Sequence, residues 1–327
     1  MSLHIACLDV WAPAVRREVQ RVAPADWTLH FADSYEPSHQ HALAAVADVL
    51  LPGFAAVDEA LLAVAPRVRW VHKWGIGIER IDQAALRCRG IALAITAGGN
   101  SQPVAEMALA LMLAVNRRIP YVNRAMREGQ WPTSEMRETC FMVHGKTVGL
   151  YGFGQIGRRL AQLLLGFDVN LIYHDLQPAE PEQAQGLRAR FVDLDELLAS
   201  SDILSLHAPL TDATRHVIGP ATLAAMKPGA ILINTSRGGL VDEAALHAAL
   251  VSGHLRGAGL DAFDPEPPVL HNPLMQLDQV VMTPHAGGGV FDNVAHVARH
   301  AFSNIARWQR GVAVNTPDLI IPPGVAA

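Results

Sequence analysis

Thr147-Val148-Gly149-Leu150-Tyr151-Gly152-Phe153-Gly154-Gln155-Ile156-Gly157, continued as far as Asp175, is the stretch from which the rest of the chain can be read. Thr147–Tyr151 has the make-up of a short buried strand, and Gly152-x-Gly154-x-x-Gly157 follows without a gap. Apolar residues at helical spacing come next (Ile156, Leu160, Leu163, Leu164), then a second strand, Val169–Tyr173, running to Asp175. Three glycines alone are a weak signal. Glycines between a strand and a helix, with an acid 18 residues past Gly157, meet the requirements of dinucleotide binding. Gly152 permits the tight turn, Gly154 the approach of backbone N–H groups to a pyrophosphate, and Gly157 the close seat of helix on strand; the helix N-terminus faces the phosphates.

Asp175 also bears on the choice of cofactor. A carboxylate there hydrogen-bonds ribose hydroxyls and repels a 2′-phosphate, and Leu176-Gln177-Pro178 offers no cation to receive one. The expectation is NAD over NADP.

Composition sets the outer limits. At 327 residues, half of them hydrophobic and 17% charged, two globular domains are expected. A net charge of −5 supplies no basic field for nucleic acid or an anionic membrane. Cys7, Cys88 and Cys140 are far apart, without metal-ligand spacing, as in a reducing compartment. Met1–Val10 reads as a strand without the basic start or apolar run of a signal peptide, and the apolar run Ala108–Val115 is too short to span a bilayer. These readings point to the cytoplasm.

Outward from the glycines, strands alternate with helices. Before them, strands are expected at 3–9, 27–31, 48–51, 69–72 and 91–95, with helices at 14–22, 39–47 and 57–64, which indicates a parallel sheet covered on both faces. His39 and His41 fall on different faces of one helix start and are assigned to solvent. Lys73-Trp74-Gly75-Ile76-Gly77-Ile78-Glu79-Arg80 follows a strand, and its two glycines can turn N–H groups toward an anion; an ordinary connecting loop fits its spacing equally well. After Thr96–Pro103 comes a helix over 102–118, apolar on most sides and therefore buried, where the chain crosses into the second domain. Residues 119–145 read as an irregular arm. Later strands are expected at 202–207, 230–234, 258–260 and 280–282, with helices near 194–199, 220–226 and 242–251. A long amphipathic helix, 291–310, carries the chain back to the first domain. His296 and His300, four apart on it, read as a surface pair.

Three loops following strands each carry an ionisable group stiffened by Gly or Pro: Asn234-Thr235-Ser236-Arg237-Gly238-Gly239, Asp261-Ala262-Phe263-Asp264-Pro265-Glu266-Pro267, and Thr283-Pro284-His285-Ala286-Gly287-Gly288. An Arg, a carboxylate and a His are the parts that reduction of a 2-keto acid needs. Arg offers a planar fork to the substrate carboxylate, and His delivers a proton as hydride arrives. A carboxylate on the His orients the ring and favours its charged form. No metal is required.

With these loops, the glycine segment and Leu206-His207-Ala208-Pro209-Leu210 to Thr214, nearly the whole chain resembles the D-isomer-specific 2-hydroxyacid dehydrogenases, including the phosphoglycerate, glycerate/hydroxypyruvate, lactate and formate branches. The resemblance implies an α/β fold of two doubly wound parallel-sheet domains. A Rossmann NAD-binding domain (102–286) would be inserted in a flavodoxin-like substrate domain (1–101 plus 287–327), with a deep cleft. It implies Arg237, Glu266 and His285 as catalytic residues. Cofactor contacts are implied at Gly152, Phe153, Gly154, Gln155, Ile156, Gly157, Asp175, His207, Pro209, Thr214, Thr235, Ser236, Asp261 and Gly287, with Asp261 on the nicotinamide amide. Substrate contacts are implied at Lys73, Trp74, Gly75, Ile76, Gly77 and Asn100, which tips the Gly75–Ile78 loop toward the substrate carboxylate. Asp264 is a competitor of Glu266, but the family pattern puts the acid between two prolines. Glu106 matches an acid on the family's connecting helix and reads as structural.

The implied activity is NAD-dependent interconversion of small 2-hydroxy and 2-keto acids of the glyoxylate, hydroxypyruvate or phosphohydroxypyruvate type. Lys73 and Gly98-Gly99-Asn100 resemble the phosphoglycerate branch. Trp74 departs from it, and the chain ends without the regulatory extension many of that branch carry. The formate branch has an amide where Glu266 stands. The alternative is an NAD-responsive binding protein in which catalysis is secondary. Dimerisation through the apolar helix and the arm, as family members commonly show, is expected.

Overall fold

A computed structural model of the chain describes residues 2–324; Met1 and residues 325–327, the extremes of the expected first strand and of the expected return segment, lie outside the described residues. The chain forms two compact units, one of Ser101–Gly289 and one that joins Met1–Asn100 to Val290–Ala327.

In the discontinuous unit, strands β1 (Leu3–Cys7), β2 (Trp27–Phe31), β3 (Val49–Leu51), β4 (Trp70–His72) and β5 (Ala92–Ala94) are parallel in the order 2-1-3-4-5, the flavodoxin-like arrangement. In the contiguous unit, β6 (Thr147–Tyr151), β7 (Asn170–His174), β8 (Ala189–Phe191), β9 (Ile203–Leu206), β10 (Ile231–Asn234), β11 (Gly257–Leu260) and β12 (Val280–Met282) form one parallel sheet. The last strand, β13 (Leu319–Ile321), pairs antiparallel with β5 on the edge of the first sheet. The second sheet runs β8-β7-β6-β9-β10-β11-β12. Its direction of growth reverses between β6 and β9, the place where ligands bind in such sheets.

Apolar residues on both faces of each strand explain the two-sided cover. Ile231 and Ile233 turn to one face and Leu232 to the other. On the first face lie Ala105, Ala108, Leu111, Met112 and Val115 of the helix Ser101–Asn116, together with Leu160 and Leu164 of Gln155–Leu164. Much of the apolar surface of the expected 102–118 helix is thus covered inside its own unit, while Met107, Leu109 and Leu113 are half-buried. The arm at 119–145 is also more regular than expected. It holds helices Ile119–Arg127, with Pro120 in its first turn, and Thr133–Thr139, separated at Gly129, where φ is +79°.

The return helix, Val294–Gln309, packs on the first sheet, with Phe302 edge-on to Trp27 at 5.6 Å and Trp308 stacked on Trp70 at 5.3 Å. His300, expected as one of a surface pair, is half-buried and has a partner: its Nε2 bonds Asp318 Oδ2 at 2.8 Å, and Asp318 is 2% exposed. The same oxygen accepts Asn304 Nδ2 at 3.0 Å, and Asn304 reaches the fully buried His72. Sequence spacing places residues on a helix face but does not reveal a carboxylate arriving from another segment. His39, assigned to solvent, accepts the backbone N–H of Asp33 at 3.0 Å. Among the described residues no helix is long and apolar enough to cross a membrane.

Candidate active site

The glycine segment leaves the carboxyl end of β6, beside the switch point. A Cβ on Gly152 (φ +99°) would lie 2.7 Å from Ala208 N, and one on Gly157 only 2.4 Å from the carbonyl oxygen of Gly152. Both glycines are therefore required by the protein's own packing. Gly154 differs, since a Cβ there meets nothing within 4 Å. It opens the helix Gln155–Leu164, whose N-terminus has no side-chain cap, so unsatisfied N–H groups face open space suited to a pyrophosphate.

Asp175, just past β7, accepts Phe153 N at 2.7 Å through Oδ2 and Leu176 N at 2.7 Å through Oδ1. The Phe153 ring is buried and stacks on Tyr173 at 3.9 Å, so this residue holds the acid in place from the core side. Gln155 is exposed and Ile156 half-buried. Beyond β9, His207 Nε2 bonds Ser205 Oγ at 2.9 Å while its Nδ1 is buried without a partner. Burial pushes this imidazole down to about 4, so it is neutral at physiological pH. Thr235 Oγ1, beyond β10, is likewise buried without a partner. Ser236 Oγ is satisfied by Leu206 O, and Thr214 Oγ1 closes its loop on Pro209 O. Orphaned polar atoms on two adjacent loops, beside an open glycine, fit a dinucleotide.

Beyond β10, Asn234 Nδ2 donates to the Arg237 carbonyl at 2.8 Å, and Arg237 Nη1 donates to Ser236 O at 2.8 Å. A Cβ on the next residue, Gly238, would sit 1.9 Å from the Phe263 carbonyl carbon. That glycine brings the Arg237 loop into backbone contact with the loop beyond β11. There Asp261, 1% exposed, accepts Thr283 Oγ1 at 2.6 Å, Ala286 N at 2.8 Å and Gly287 N at 2.8 Å. The three bonds fix the loop beyond β12, on which His285 adopts φ +50°. That is a left-handed conformation costing a non-glycine residue ~1 kcal/mol or more.

His285 Nδ1 lies 2.9 and 2.8 Å from the two Glu266 oxygens. Glu266 Oε1 also accepts Phe263 N at 3.0 Å. Burial raises the Glu266 pKa most strongly, but the His285 bond, the Phe263 N–H and the Arg237 charge outweigh it and hold the carboxyl below its ordinary range. An ionised carboxylate only accepts, so the proton between the two sits on Nδ1. Asp264, the competitor, is ion-paired with Arg215 at 3.1 Å. Glu106 is exposed and bonded by Gln102.

The Lys73–Gly77 loop, in the other unit, leaves β4. Thr96 Oγ1 and His72 Nδ1 meet the Lys73 carbonyl at 3.1 and 3.2 Å, and Thr96 N donates to Gly75 O at 2.9 Å. Lys73 Nζ donates to the Gly53 carbonyl, Trp74 packs on Trp11 at 4.8 Å, Ile76 is 40% exposed, and Asn100 Oδ1 is buried without a partner. Sequence reasoning missed the groups behind these loops. Asp9 gathers the N–H groups of Gly53, Phe54 and Ala55, and Asp318 takes the Ala97 N–H at 3.1 Å. Neither lies in a recognisable motif. Among the described residues no group of three His, Cys, Asp or Glu side chains could hold a metal ion.

Residues 109–287 match the family model described as D-isomer specific 2-hydroxyacid dehydrogenase, NAD binding domain. The chain is 42% identical to a D-3-phosphoglycerate dehydrogenase of Mycobacterium bovis, over 77% of this chain and 47% of the relative. It is 39% identical to a glyoxylate reductase of Thermococcus litoralis over 78% of each. It thus spans about half the length of the phosphoglycerate dehydrogenases it matches. The structure of an NAD-dependent formate dehydrogenase from Staphylococcus aureus in complex with NAD superposes with a TM-score of 0.84 at 25% identity, covering 98% of this chain and 99% of that one.

Proposed function

The chain belongs to the D-isomer specific 2-hydroxyacid dehydrogenase family, and on that premise we propose that it is an NAD-dependent 2-hydroxyacid dehydrogenase that also reduces 2-keto acids. The observation that carries the reading is the double contact of His285 Nδ1 with Glu266, beside Arg237, on loops at the carboxyl edge of the sheet that bears the glycine segment. Gly152–Gly157 and Asp175 would hold the pyrophosphate and adenosine ribose, with His207, Pro209, Thr214, Thr235, Ser236, Asp261 and Gly287 around the rest. When bound, the nicotinamide supplies or accepts hydride at C2 of the acid.

The chain's own groups do the remainder. Arg237 presents a planar fork to the substrate carboxylate and polarises the carbonyl. His285 gives the proton on Nε2 to the carbonyl oxygen as it becomes a hydroxyl, and takes it back in the oxidative direction. Glu266 holds the ring by Nδ1 and stabilises its charged form. Lys73, Trp74, Gly75, Ile76, Gly77 and Asn100 are assigned to the substrate, and the contiguous and discontinuous units to NAD and substrate respectively. The names of the relatives favour small acids of the glyoxylate, hydroxypyruvate and phosphohydroxypyruvate type.

A panel of these three, pyruvate and a bulky phenyl keto acid, each with NADH and with NADPH, tests the reading. Reduction of at least one with NADH preferred is expected; oxidation of neither coenzyme by any acid would refute it. We place the chain in the cytoplasm, in keeping with free thiols at Cys7, Cys88 and Cys140. A homodimer through the arm is supported by Trp131 and Met142, which are 77% and 68% exposed; a mass of 35.2 kDa by light scattering would overturn it.

A further inference from the structure

We propose that Glu243 is a positioning residue for the acid–base pair, holding the loop that carries Glu266 so that its carboxylate meets His285. The inference rests on the assignment of Glu266 and His285 to proton transfer.

Glu243 begins the helix Glu243–Val251, immediately after the cap Asp242. Its Oε1 accepts the backbone N–H of Asp264 at 3.0 Å, and its Oε2 accepts Asn272 Nδ2 at 2.6 Å. These two contacts lie at the two ends of the segment 264–272, with Glu266 between them. The far end is itself ordered, because Asn272 is 5% exposed and its Oδ1 accepts Leu274 N at 3.0 Å. The loop has little apolar burial to hold it: Val269 and Leu270 are 56% and 85% exposed. The Arg215–Asp264 ion pair is half-exposed on both sides and contributes little. One side chain thus closes both ends of a loop with little apolar burial, and its loss loosens the backbone that carries Glu266, whose carboxylate keeps the Phe263 N–H.

The charged groups facing the pair are Arg237, which favours the Glu266 anion, and Asp261, whose carboxylate holds the N–H groups of Ala286 and Gly287 next to His285. Asp264 with Arg215 lies at the rim. Asp264 is itself held by Glu243 through its backbone N–H, so a change at Glu243 displaces Asp264 and Glu266 together, and a change in the proton economy of His285 reports the placement of the loop that carries both.

The test compares wild type, Glu243→Ala, Glu243→Gln and Glu266→Gln. The ring-proton resonance of His285, assigned by its absence in His285→Asn, is titrated in each; keto-acid reduction is then followed against pH. In Glu243→Ala both the titration midpoint and the fall-off of reduction move to lower pH by about one unit, in the direction of Glu266→Gln. Glu243→Gln keeps one acceptor for Asp264 N and moves less. NADH binding is retained throughout. Should Glu243→Ala not fold, Glu243→Gln carries the test alone. A titration and profile unchanged from wild type in the Glu243 variants, while Glu266→Gln shifts both, would overturn the proposal. The titration needs no turnover, so a protein that reduces no keto acid refutes the dehydrogenase reading without deciding this one.

Discussion

The proton on His285 Nε2 is the smallest unit on which the reading depends. A positioned acid is worth ~10²–10⁴-fold in rate, so His285→Ala is expected to lose turnover by that factor with NADH affinity kept, because its neighbours Ala286 and Gly287 are anchored by Asp261 rather than by the ring. Steady-state rates alongside NADH fluorescence titration check both halves. Two other histidines act through stability. His72 is fully buried; burial, only partly offset by the Lys73 carbonyl, lowers its pKa to about 3, and burial brings His207 to about 4. Unfolded histidines titrate near ~6.5. Both groups therefore contribute stability above that pH, and as pH falls through the window toward 3 the unfolded chain takes up protons that the folded chain refuses. Urea midpoints should decline from pH 6.5 downward, and His72→Gln should flatten that decline; equal slopes in the two proteins would contradict it.

At the scale of the element, the three glycines of the segment are not equivalent. Gly157→Ala places a methyl 2.4 Å from a carbonyl oxygen and should lower the melting temperature. Gly154→Ala meets no protein atom and should melt like wild type, and on the proposed pyrophosphate-binding role of the segment it should lose NADH affinity. Calorimetry and fluorescence titration separate the two, and an unstable Gly154→Ala that binds normally would reverse the assignment. Strand–glycine–helix order was legible in the sequence because local spacing encodes it. What escaped was non-local or weakly patterned. Short β8 and β13 have three residues each. Asp9, Glu243 and Asp318 act on segments distant in sequence, and no period in the chain announces a carboxylate that folds back. The apolar helix Ser101–Asn116 was read correctly as buried, but the sequence could not say that much of the cover is its own unit.

At the scale of the whole molecule, the unit Ser101–Gly289 has a continuous chain and its own two-faced core. Expressed alone, it should unfold cooperatively and bind NADH without reducing any keto acid. A fragment of residues 1–100 should not fold, since β13 and the helix Val294–Gln309 that complete its sheet are absent. Circular dichroism melts of the two fragments decide this. The discontinuity also has a cost in time. On the ribosome, β5 emerges well before its edge partner β13, with the contiguous unit made in between. At ~5–20 residues per second that interval is on the order of 10–40 s. Throughout it the tryptophans of β2 and β4 lack their later partners Phe302 and Trp308, apolar surface of the kind that chaperones hold and that nascent chains aggregate through.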